Sequence, residues 1–307
     1  MLKKIIFMGT PLFSVPILKS LYQNGYPISS VYTQPPKKSQ RGMVFNPTPI
    51  QKLSETLNIE FRTPLSLKNN KKEYDYLEKL EADIAVVVAY GQILPKEILG
   101  LTKKGFINIH ASILPKLRGP APIQRSIMNL DKQTGISIMK ISEKLDTGPV
   151  CNSYSLNILE NENVKSLSER LSVLAAEKIL YDIDDILEDK AVFKTQDEAK
   201  ATYANKILKS EGKINWSESK KNIIGKINGL YPNSFFLYKG ERYKVLKAEI
   251  SDQSGKIGNV LSNNLDIGCR DGSIKILEIQ REGKRPQKIN EFILGSKIIK
   301  GSNLKDA

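Results

Sequence analysis

The segment "DIAVVVAYG", residues 83–91, decides the fold. It is a continuous apolar run, rich in β-branched residues, with no polar residue at alternate positions. A strand with one face in water alternates polar and apolar residues, whereas a central parallel strand is covered on both faces and is apolar throughout. The segment therefore predicts the middle strand of a parallel sheet with helices on both sides.

The rest of the first part of the chain alternates between strand and helix patterns. We predict further strands over 3–9, 29–34, 106–111, 134–142 and 149–156. We predict a helix near 14–24 and one long amphipathic helix over 164–188. This order indicates an open, mostly parallel α/β sheet, with the last two strands as candidates for antiparallel pairing.

The pattern changes in the last third of the chain. Residues 190–208 are mixed and polar, which predicts a linker. Beyond it, short strand patterns are separated by turns at Lys239-Gly240, Asn263-Asn264 and Asp271-Gly272. Such a series of short strands predicts a small β-barrel. We therefore expect one domain over 1–189, the linker over 190–208, and a second domain over 209–307.

The positive charge of the chain is concentrated in that second domain. Residues 206–307 hold 20 Lys and Arg against 11 Asp and Glu, which is +9 of the chain's net +14. A basic domain favours a polyanionic partner, with nucleic acid as the first candidate. A Lys-rich surface with no such partner is the alternative.

Several classes of protein are disfavoured by the composition. No apolar run approaches the ~20 residues needed to span a bilayer, and the start "MLKKIIFMGTPLF" is too short in apolar residues for a signal peptide. The turn "MGTPLFS" has one glycine of the three that a dinucleotide site needs. With one histidine and two cysteines, Cys151 and Cys269, neither a zinc site nor a disulfide framework is expected. We expect a cytoplasmic protein with no metal and no membrane partner.

The single histidine lies in "FINIHASILPKLRGPAPIQRSI", residues 106–127. Alternate residues of a strand share a face, so Asn108 and His110 are expected side by side. The predicted strand ends directly after them, and ligands of open α/β sheets bind at the carboxyl ends of strands. An amide and an imidazole are therefore predicted where a site is expected. A strand-end histidine without a role is the alternative.

A carboxylate is predicted to complete this site. Asp146 lies in "EKLDTGPV", residues 143–150, between two strand patterns and beside apolar residues. A carboxylate in a partly buried turn needs a partner, and the lone histidine is the obvious one, although an ordinary turn aspartate is the alternative. Together the three groups suit acyl transfer to an amine: Asn108 stabilises the oxyanion, His110 handles the proton and Asp146 orients the imidazole.

These segments resemble the folate-dependent formyltransferases. Residues 106–127 are similar to the N-I-H-x-S-L-L-P segment of that family, and "KLDTGPV" (144–150) is similar to its L-D-x-G motif. Three other segments resemble the branch that acts on tRNA: "KIIFMGTPLFSVPIL" (4–18), "VVVAYGQILP" (86–95) and "DGSIKILEIQREGKRPQKINEFILG" (271–295). The resemblance extends over nearly the whole chain.

The resemblance implies a Rossmann-like catalytic domain followed by a C-terminal OB-like barrel. It implies 10-formyltetrahydrofolate as the formyl donor and the α-amino group of initiator methionyl-tRNA as the acceptor. We expect the chain to act as a monomer. The implied catalytic residues are Asn108, His110 and Asp146. The implied folate contacts are Ser112, Ile113, Leu114 and Pro115 in one segment, and Tyr90, Gly91, Gln92, Ile93 and Leu94 in another.

Contacts with tRNA are expected in two places. In "TQPPKKSQRGMV" (33–44), Arg41 matches an arginine of the family's loop at the acceptor end, and Lys37 and Lys38 precede it. Near the end of the chain, "QREGKRPQK" holds a compact basic group that we expect to contact phosphates, made up of Arg281, Lys284 and Arg285.

Three other functions remain open. One is a folate-dependent N-formyltransferase that acts on a small amine, such as an amino sugar. Another is a hydrolase of 10-formyltetrahydrofolate, in which water replaces the amine. The third is an RNA-binding protein without catalysis, which would explain the basic domain but leave Asn108, His110 and Asp146 without a purpose.

Overall fold

The computed structural model describes residues 3–39 and 44–304. The strands are β1 (Ile5–Gly9), β2 (Ile28–Tyr32), β3 (Lys37–Ser39), β4 (Val44–Asn46), β5 (Phe61–Arg62), β6 (Ile84–Val88), β7 (Phe106–His110), β8 (Gln133–Lys140), β9 (Val150–Asn157), β10 (Phe235–Tyr238), β11 (Glu241–Ser251), β12 (Asp266–Cys269), β13 (Gly272–Arg281) and β14 (Gln287–Lys288). The α-helices are α1 (Val15–Gln23), α2 (Pro49–Thr56), α3 (Lys71–Lys79), α4 (Lys96–Leu99), α5 (Pro122–Met128), α6 (Val164–Leu187), α7 (Lys220–Gly229) and α8 (Ile289–Phe292).

The chain forms two compact units. The first comprises the described residues up to Gly119, then Gly135–Leu156 and Ser168–Tyr203. The second comprises Pro120–Thr134, Asn157–Leu167 and the described residues from Ala204 onward. The helix α5 and the start of β8 thus belong to the same unit as the C-terminal part of the chain. The division into domains over 1–189 and 209–307 with a linker between them stays a prediction.

A seven-stranded sheet has the strand order β5-β2-β1-β6-β7-β8-β9. The strands from β5 to β7 pair in parallel, and β8 runs antiparallel to β7. Every residue of β6 is buried, as its unbroken apolar run requires. The predicted open, mostly parallel α/β sheet is therefore confirmed, and the long predicted helix is α6.

The order of the strands determines where a site can form. The strands β1, β6 and β7 are neighbours and parallel, so their carboxyl ends meet at one edge of the sheet. The segments that follow them, 10–14, 89–95 and 111–121, begin at that edge. Because β7 ends at His110, the histidine lies where ligands of open α/β sheets bind.

The second unit contains a curled antiparallel sheet in the order β10-β11-β13-β12, with β14 added to β13. It wraps around an apolar core that includes Trp216, Phe236 and Ile274. The predicted turns at Lys239-Gly240 and Asn263-Asn264 are confirmed, whereas the one predicted at Asp271-Gly272 lies one residue earlier and Gly272 begins β13. Gly240 and Gly272 have positive φ angles, of 76° and 141°. This half-barrel confirms the C-terminal fold that the sequence predicts.

A charged cluster is built into the β2–β5 edge of the first sheet. Arg62 donates two hydrogen bonds to Glu73, at 2.6 and 2.7 Å, and the hydroxyl of Tyr32 donates a third, at 2.9 Å. Burial by itself raises the pKa of the Glu73 carboxyl, but the bonds from Arg62 and Tyr32 outweigh it and hold that pKa below its ordinary value.

We expect Glu73→Gln to lower the free energy of unfolding by about 2–3 kcal/mol at neutral pH, because the partly buried Arg62 charge loses its nearest carboxylate and keeps only Glu60, at 4.0 Å. The pKa of Glu73 is lower in the folded protein than its value of about 4.3 in the unfolded chain, so the ionised carboxylate stabilises the fold above pH ~4.3. This stabilisation is lost as the pH falls through the pKa of Glu73 in the folded protein. Urea unfolding should therefore show that the difference in unfolding free energy between the wild type and Glu73→Gln becomes smaller in acid. Glu78→Gln, which changes an exposed residue of the same helix, is the control. A difference in unfolding free energy between wild type and Glu73→Gln that does not change with pH would refute this account.

Candidate active site

The imidazole of His110 is buried at the end of β7. Its Nε2 lies 2.9 Å from the carbonyl oxygen of Leu117, in the loop that follows the strand. A carbonyl can only accept, so Nε2 must carry the hydrogen and donate it. In the neutral ring, Nδ1 therefore holds a free lone pair and is the atom able to accept a proton.

That free nitrogen faces a carboxylate. The Oδ2 atom of Asp146 lies 3.7 Å from His110 Nδ1, which is too long for a hydrogen bond but close for two charges. The same oxygen accepts a bond of 2.8 Å from the backbone N–H of Gly119. The structure thus brings together the predicted histidine and aspartate, and the ring orientation comes from the Leu117 carbonyl, which the sequence analysis missed.

The side chain of Asn108 completes the group. It is half-buried and projects from the same face of β7 as His110, because the two are alternate residues of one strand. Its carboxamide has no hydrogen-bond partner among residues 3–39 and 44–304. A free amide beside a buried imidazole leaves two N–H donors available for a bound oxygen.

The turn that carries Asp146 is tightly packed. The hydroxyls of Ser142 and Thr147 lie 3.0 Å apart and close it from within. Gly148 lies against the backbone carbonyl of Lys140, and a Cβ at that position would collide with it. The glycine of the L-D-T-G segment is therefore required by close approach of two backbones.

The first predicted folate segment, 112–115, is firmly anchored. The hydroxyl of Ser137 donates to the carbonyl of Ser112 at 2.8 Å and accepts from the N–H of Leu114 at 3.0 Å. The side chains of Ser112 and Leu114 are buried, whereas Ile113 and Pro115 are partly exposed. Of the four predicted residues, these last two have side-chain surface free to contact a ligand.

The second predicted folate segment, 90–94, follows β6. The ring of Tyr90 lies in the apolar core, and its carbonyl accepts from Thr10 Oγ1 at 2.8 Å and Gln34 Nε2 at 3.1 Å. Gly91 turns the chain with a φ of 80°, and Ile93 beyond it is 90% exposed. The main chain of this loop is therefore held by hydrogen bonds, and the Ile93 side chain is exposed.

The remaining residues of that segment divide in the same way. Gln92 donates to the carbonyl of Pro64 at 2.8 Å, and Leu94 packs against the core. A cleft beside them is lined by Gln92, Ile93 and the exposed Leu65. The lining of this cleft is mixed, because Lys68 and Glu97 lie beside these apolar side chains.

The predicted tRNA residues of the N-terminal part are only partly described. Lys37 is exposed on β3, which pairs with β4 as a short antiparallel hairpin. Lys38 lies in the same strand, where only its backbone is described. Arg41 lies outside the described residues.

The basic group near the end of the chain lies at the turn between β13 and β14. Arg281 is half-exposed and forms an ion pair with Glu241, which neutralises its charge locally. Lys284 and Arg285 are exposed, and within the described ranges their side chains have no carboxylate partner. These two are therefore the members of the group whose charge is free to meet a phosphate.

The described part of the chain contains no group of three or more His, Cys, Asp or Glu side chains that could hold a metal ion. Burial, followed by the charge of Asp182, raises the pKa of Cys151 to about 11, so that thiol stays protonated at neutral pH. Over the same residues, no helix combines the length and the apolar character needed to cross a bilayer.

Two family descriptions and several named relatives match this chain. The family described as formyl transferase matches residues 3–183, and the formyl transferase C-terminal domain matches residues 206–297. A methionyl-tRNA formyltransferase from Pelagibacter ubique (strain HTCC1062) is 63% identical over 307 residues, 99% of each chain. One from Jannaschia sp. (strain CCS1) is 40% identical over 304 residues, 98% of this chain and 100% of the relative.

Solved structures share the fold at low sequence identity. HypX from Aquifex aeolicus in complex with tetrahydrofolic acid aligns with a TM-score of 0.68 and 16% identity, over 98% of this chain and 49% of that one. An N-formyltransferase from Helicobacter canadensis in complex with folinic acid and dTDP-3-aminofucose aligns with a TM-score of 0.69 and 17% identity, over 92% and 100%. At these identities the likeness concerns the fold alone.

Proposed function

The chain belongs to the formyltransferase family, and we propose that Asn108, His110 and Asp146 carry out its reaction. It transfers a formyl group to methionyl-tRNA for translation initiation, as the relatives at 63% and 40% identity over nearly its whole length indicate. The donor is a folate. The observation that carries the residue assignment is the free Asn108 amide beside a histidine whose Nδ1 faces Asp146.

We propose 10-formyltetrahydrofolate as the donor and the α-amino group of initiator methionyl-tRNA as the acceptor. The exposed Ile93 and the partly exposed Ile113 and Pro115 at the sheet edge would contact the folate. The chain would act as a monomer in the cytoplasm, where initiator tRNA is used.

The acceptor amine needs little chemical activation. A free α-amino group has a pKa of about 7.7–8.0, and the ester bond to tRNA lowers it further, so much of the amine is neutral near pH 7. A neutral amine is itself a nucleophile, and no metal is needed to create one. The main task of the protein is to hold the amine nitrogen against the formyl carbon.

Asn108 would stabilise the charge that develops as the new bond forms. When the amine nitrogen bonds to the formyl carbon, electron density moves to the formyl oxygen. The unpartnered carboxamide of Asn108 can donate to that oxygen without first breaking a bond inside the protein. Preorganised donors of this kind are worth about 10²–10³ in rate.

His110 would move the proton. As the carbon–nitrogen bond forms, the amine loses a proton to Nδ1, and the resulting imidazolium is stabilised by the Asp146 carboxylate 3.7 Å away. The proton then passes to the folate nitrogen as its bond to the formyl carbon breaks. The Leu117 carbonyl keeps Nε2 occupied throughout, so the same nitrogen accepts and returns the proton.

We expect Asn108→Ala to slow single-turnover transfer from 10-formyltetrahydrofolate to methionyl-tRNA by about 10²–10³-fold, because the oxyanion loses its donor. The measurement uses radiolabelled formyl and saturating protein. Asn129→Ala, an exposed asparagine outside the site, is the control and should transfer at the wild-type rate. A variant at position 108 that keeps the wild-type rate would remove Asn108 from the mechanism.

The same assay separates the competing functions. Transfer to an amino sugar but not to methionyl-tRNA would favour the small-amine enzyme. Loss of formyl from the folate without any acceptor would favour the hydrolase. Binding of tRNA with no formyl transfer would favour the RNA-binding protein.

We propose that Lys284 and Arg285 bind tRNA phosphates. Each is expected to release a counterion on binding, so Lys284→Ala and Arg285→Ala should each reduce the slope of log affinity against log salt by about 1. Arg281→Ala should change the slope less, because Glu241 already neutralises that guanidinium. Affinities would be measured by filter binding at several salt concentrations.

The control for this series is Lys165→Ala, an exposed lysine at the start of α6. It should leave the slope unchanged. Slopes that are equal for the wild type and the Lys284 and Arg285 variants would contradict the phosphate contacts.

A further inference from the structure

We infer that Gln196 is a positioning residue that holds His110 and Asp146 in working geometry. It acts from the strap, defined here as residues 194–203, which runs between the turn at Asp146 and the loop after β7. The inference rests on the catalytic roles proposed above for His110 and Asp146. It concerns a segment that the sequence pattern predicts to be a linker.

The amide of Gln196 uses all of its hydrogen-bonding groups on this site. Its Nε2 donates to the carbonyl of Asp146 at 2.9 Å and to the carbonyl of Gly148 at 2.7 Å. Its Oε1 accepts from Arg118 Nε at 3.0 Å. The side chain is buried, so these bonds are shielded from water. One side chain thus links the aspartate turn to the loop that contacts His110.

Arg118, which binds Gln196, is itself part of the loop after β7. Its side chain is fully buried, and it pairs through both terminal nitrogens with Glu198 of the strap, at 2.9 and 2.8 Å. Its two neighbours in the chain are the groups that touch the catalytic pair. Leu117 accepts from His110, and Gly119 donates to Asp146.

Thr202 fixes the same loop from the other end of the strap. Its hydroxyl accepts from the N–H of Leu117 at 2.9 Å, and its carbonyl accepts from the N–H of Arg118 at 2.9 Å. Its own N–H donates to the carbonyl of Pro115 at 3.3 Å. The loop that presents the Leu117 carbonyl to the histidine is therefore tied to the strap at successive residues.

The strap contacts two residues that have left-handed backbone conformations. Leu117 and Asp146, which flank the imidazole, have φ angles of 58° and 52°. Leucine rarely adopts such a conformation unless surrounding contacts impose it. The strap supplies those contacts, to the main chain of Asp146 through Gln196 and to that of Leu117 through Thr202.

The experiment compares Gln196→Met, Gln196→Glu and the exposed Gln253→Met as control. Methionine keeps the length of the side chain but removes all three hydrogen bonds. Glutamate keeps the acceptor for Arg118 but removes both donors to the turn. We expect kcat for formyl transfer to fall about 10–100-fold in both Gln196 variants, with both KM values changed less than about threefold, because misplacement affects the reacting groups more than the binding surface.

A second readout follows the imidazole itself. His110 is the only histidine, so ring ¹⁵N spectra report on it without assignment. At a pH where the ring is neutral, wild type and Gln253→Met should show a single tautomer with hydrogen on Nε2. Gln196→Met should show exchange between the two tautomers, because the Asp146 turn that faces Nδ1 is released and Arg118, next to Leu117, loses one of its partners.

Three results would overturn the inference. One is a folded Gln196→Met with wild-type kcat, and another is a reduced kcat with an unchanged His110 spectrum. The third is failure of both Gln196 variants to fold, which would make this a residue for stability only. Asp146→Asn, measured in parallel, distinguishes failure of the proposed catalytic roles from failure of the proposed positioning role of Gln196. If it also keeps wild-type kcat, the proposed catalytic roles fail; if it alone loses activity, only the role of Gln196 fails.

Discussion

The hydrogen bond from His110 Nε2 to the carbonyl of Leu117 determines the chemistry of this site. Because that carbonyl can only accept, it fixes the hydrogen on Nε2 and leaves Nδ1 facing the carboxylate of Asp146. Parallel strand β7 brings the imidazole to the edge of the sheet, and the loop after it returns the carbonyl seven residues later. Thr202 holds the main chain of Leu117, and Gly119 and Gln196 bind Asp146.

The proposed catalytic residues and the proposed phosphate-binding residues lie in different parts of the sequence. The proposed reacting groups lie in the first unit, two of them on the buried strand β7 and the third in the turn after β8. The excess of positive charge lies in the C-terminal part, on a curled sheet whose turns expose Lys284 and Arg285. Phosphate contacts tolerate mobile side chains, whereas proton transfer requires fixed ones, and the proposed roles follow this difference.

The sequence predicts the parts of this architecture that are carried by side-chain patterns. The apolar run of β6 predicts the central strand, and the spacing of Asn108 and His110 predicts that they share a face. Two decisive groups could not be predicted. The carbonyl of Leu117 is a backbone atom that any residue would supply, and its position depends on a left-handed φ that leucine rarely adopts. Gln196 lies in a polar segment without periodicity, and only its three-dimensional contacts distinguish it from a linker residue.

The most direct test of the account is single-turnover formyl transfer from 10-formyltetrahydrofolate to initiator methionyl-tRNA by the wild type and by His110→Ala. The account predicts transfer by the wild type and a loss of about 10²–10⁴-fold in the variant, the usual range for removal of a group that moves a proton in the transition state. Unfolding curves would confirm that the variant is folded. Equal rates for the two proteins would show that the lone histidine has no part in the chemistry, and would contradict the central claim.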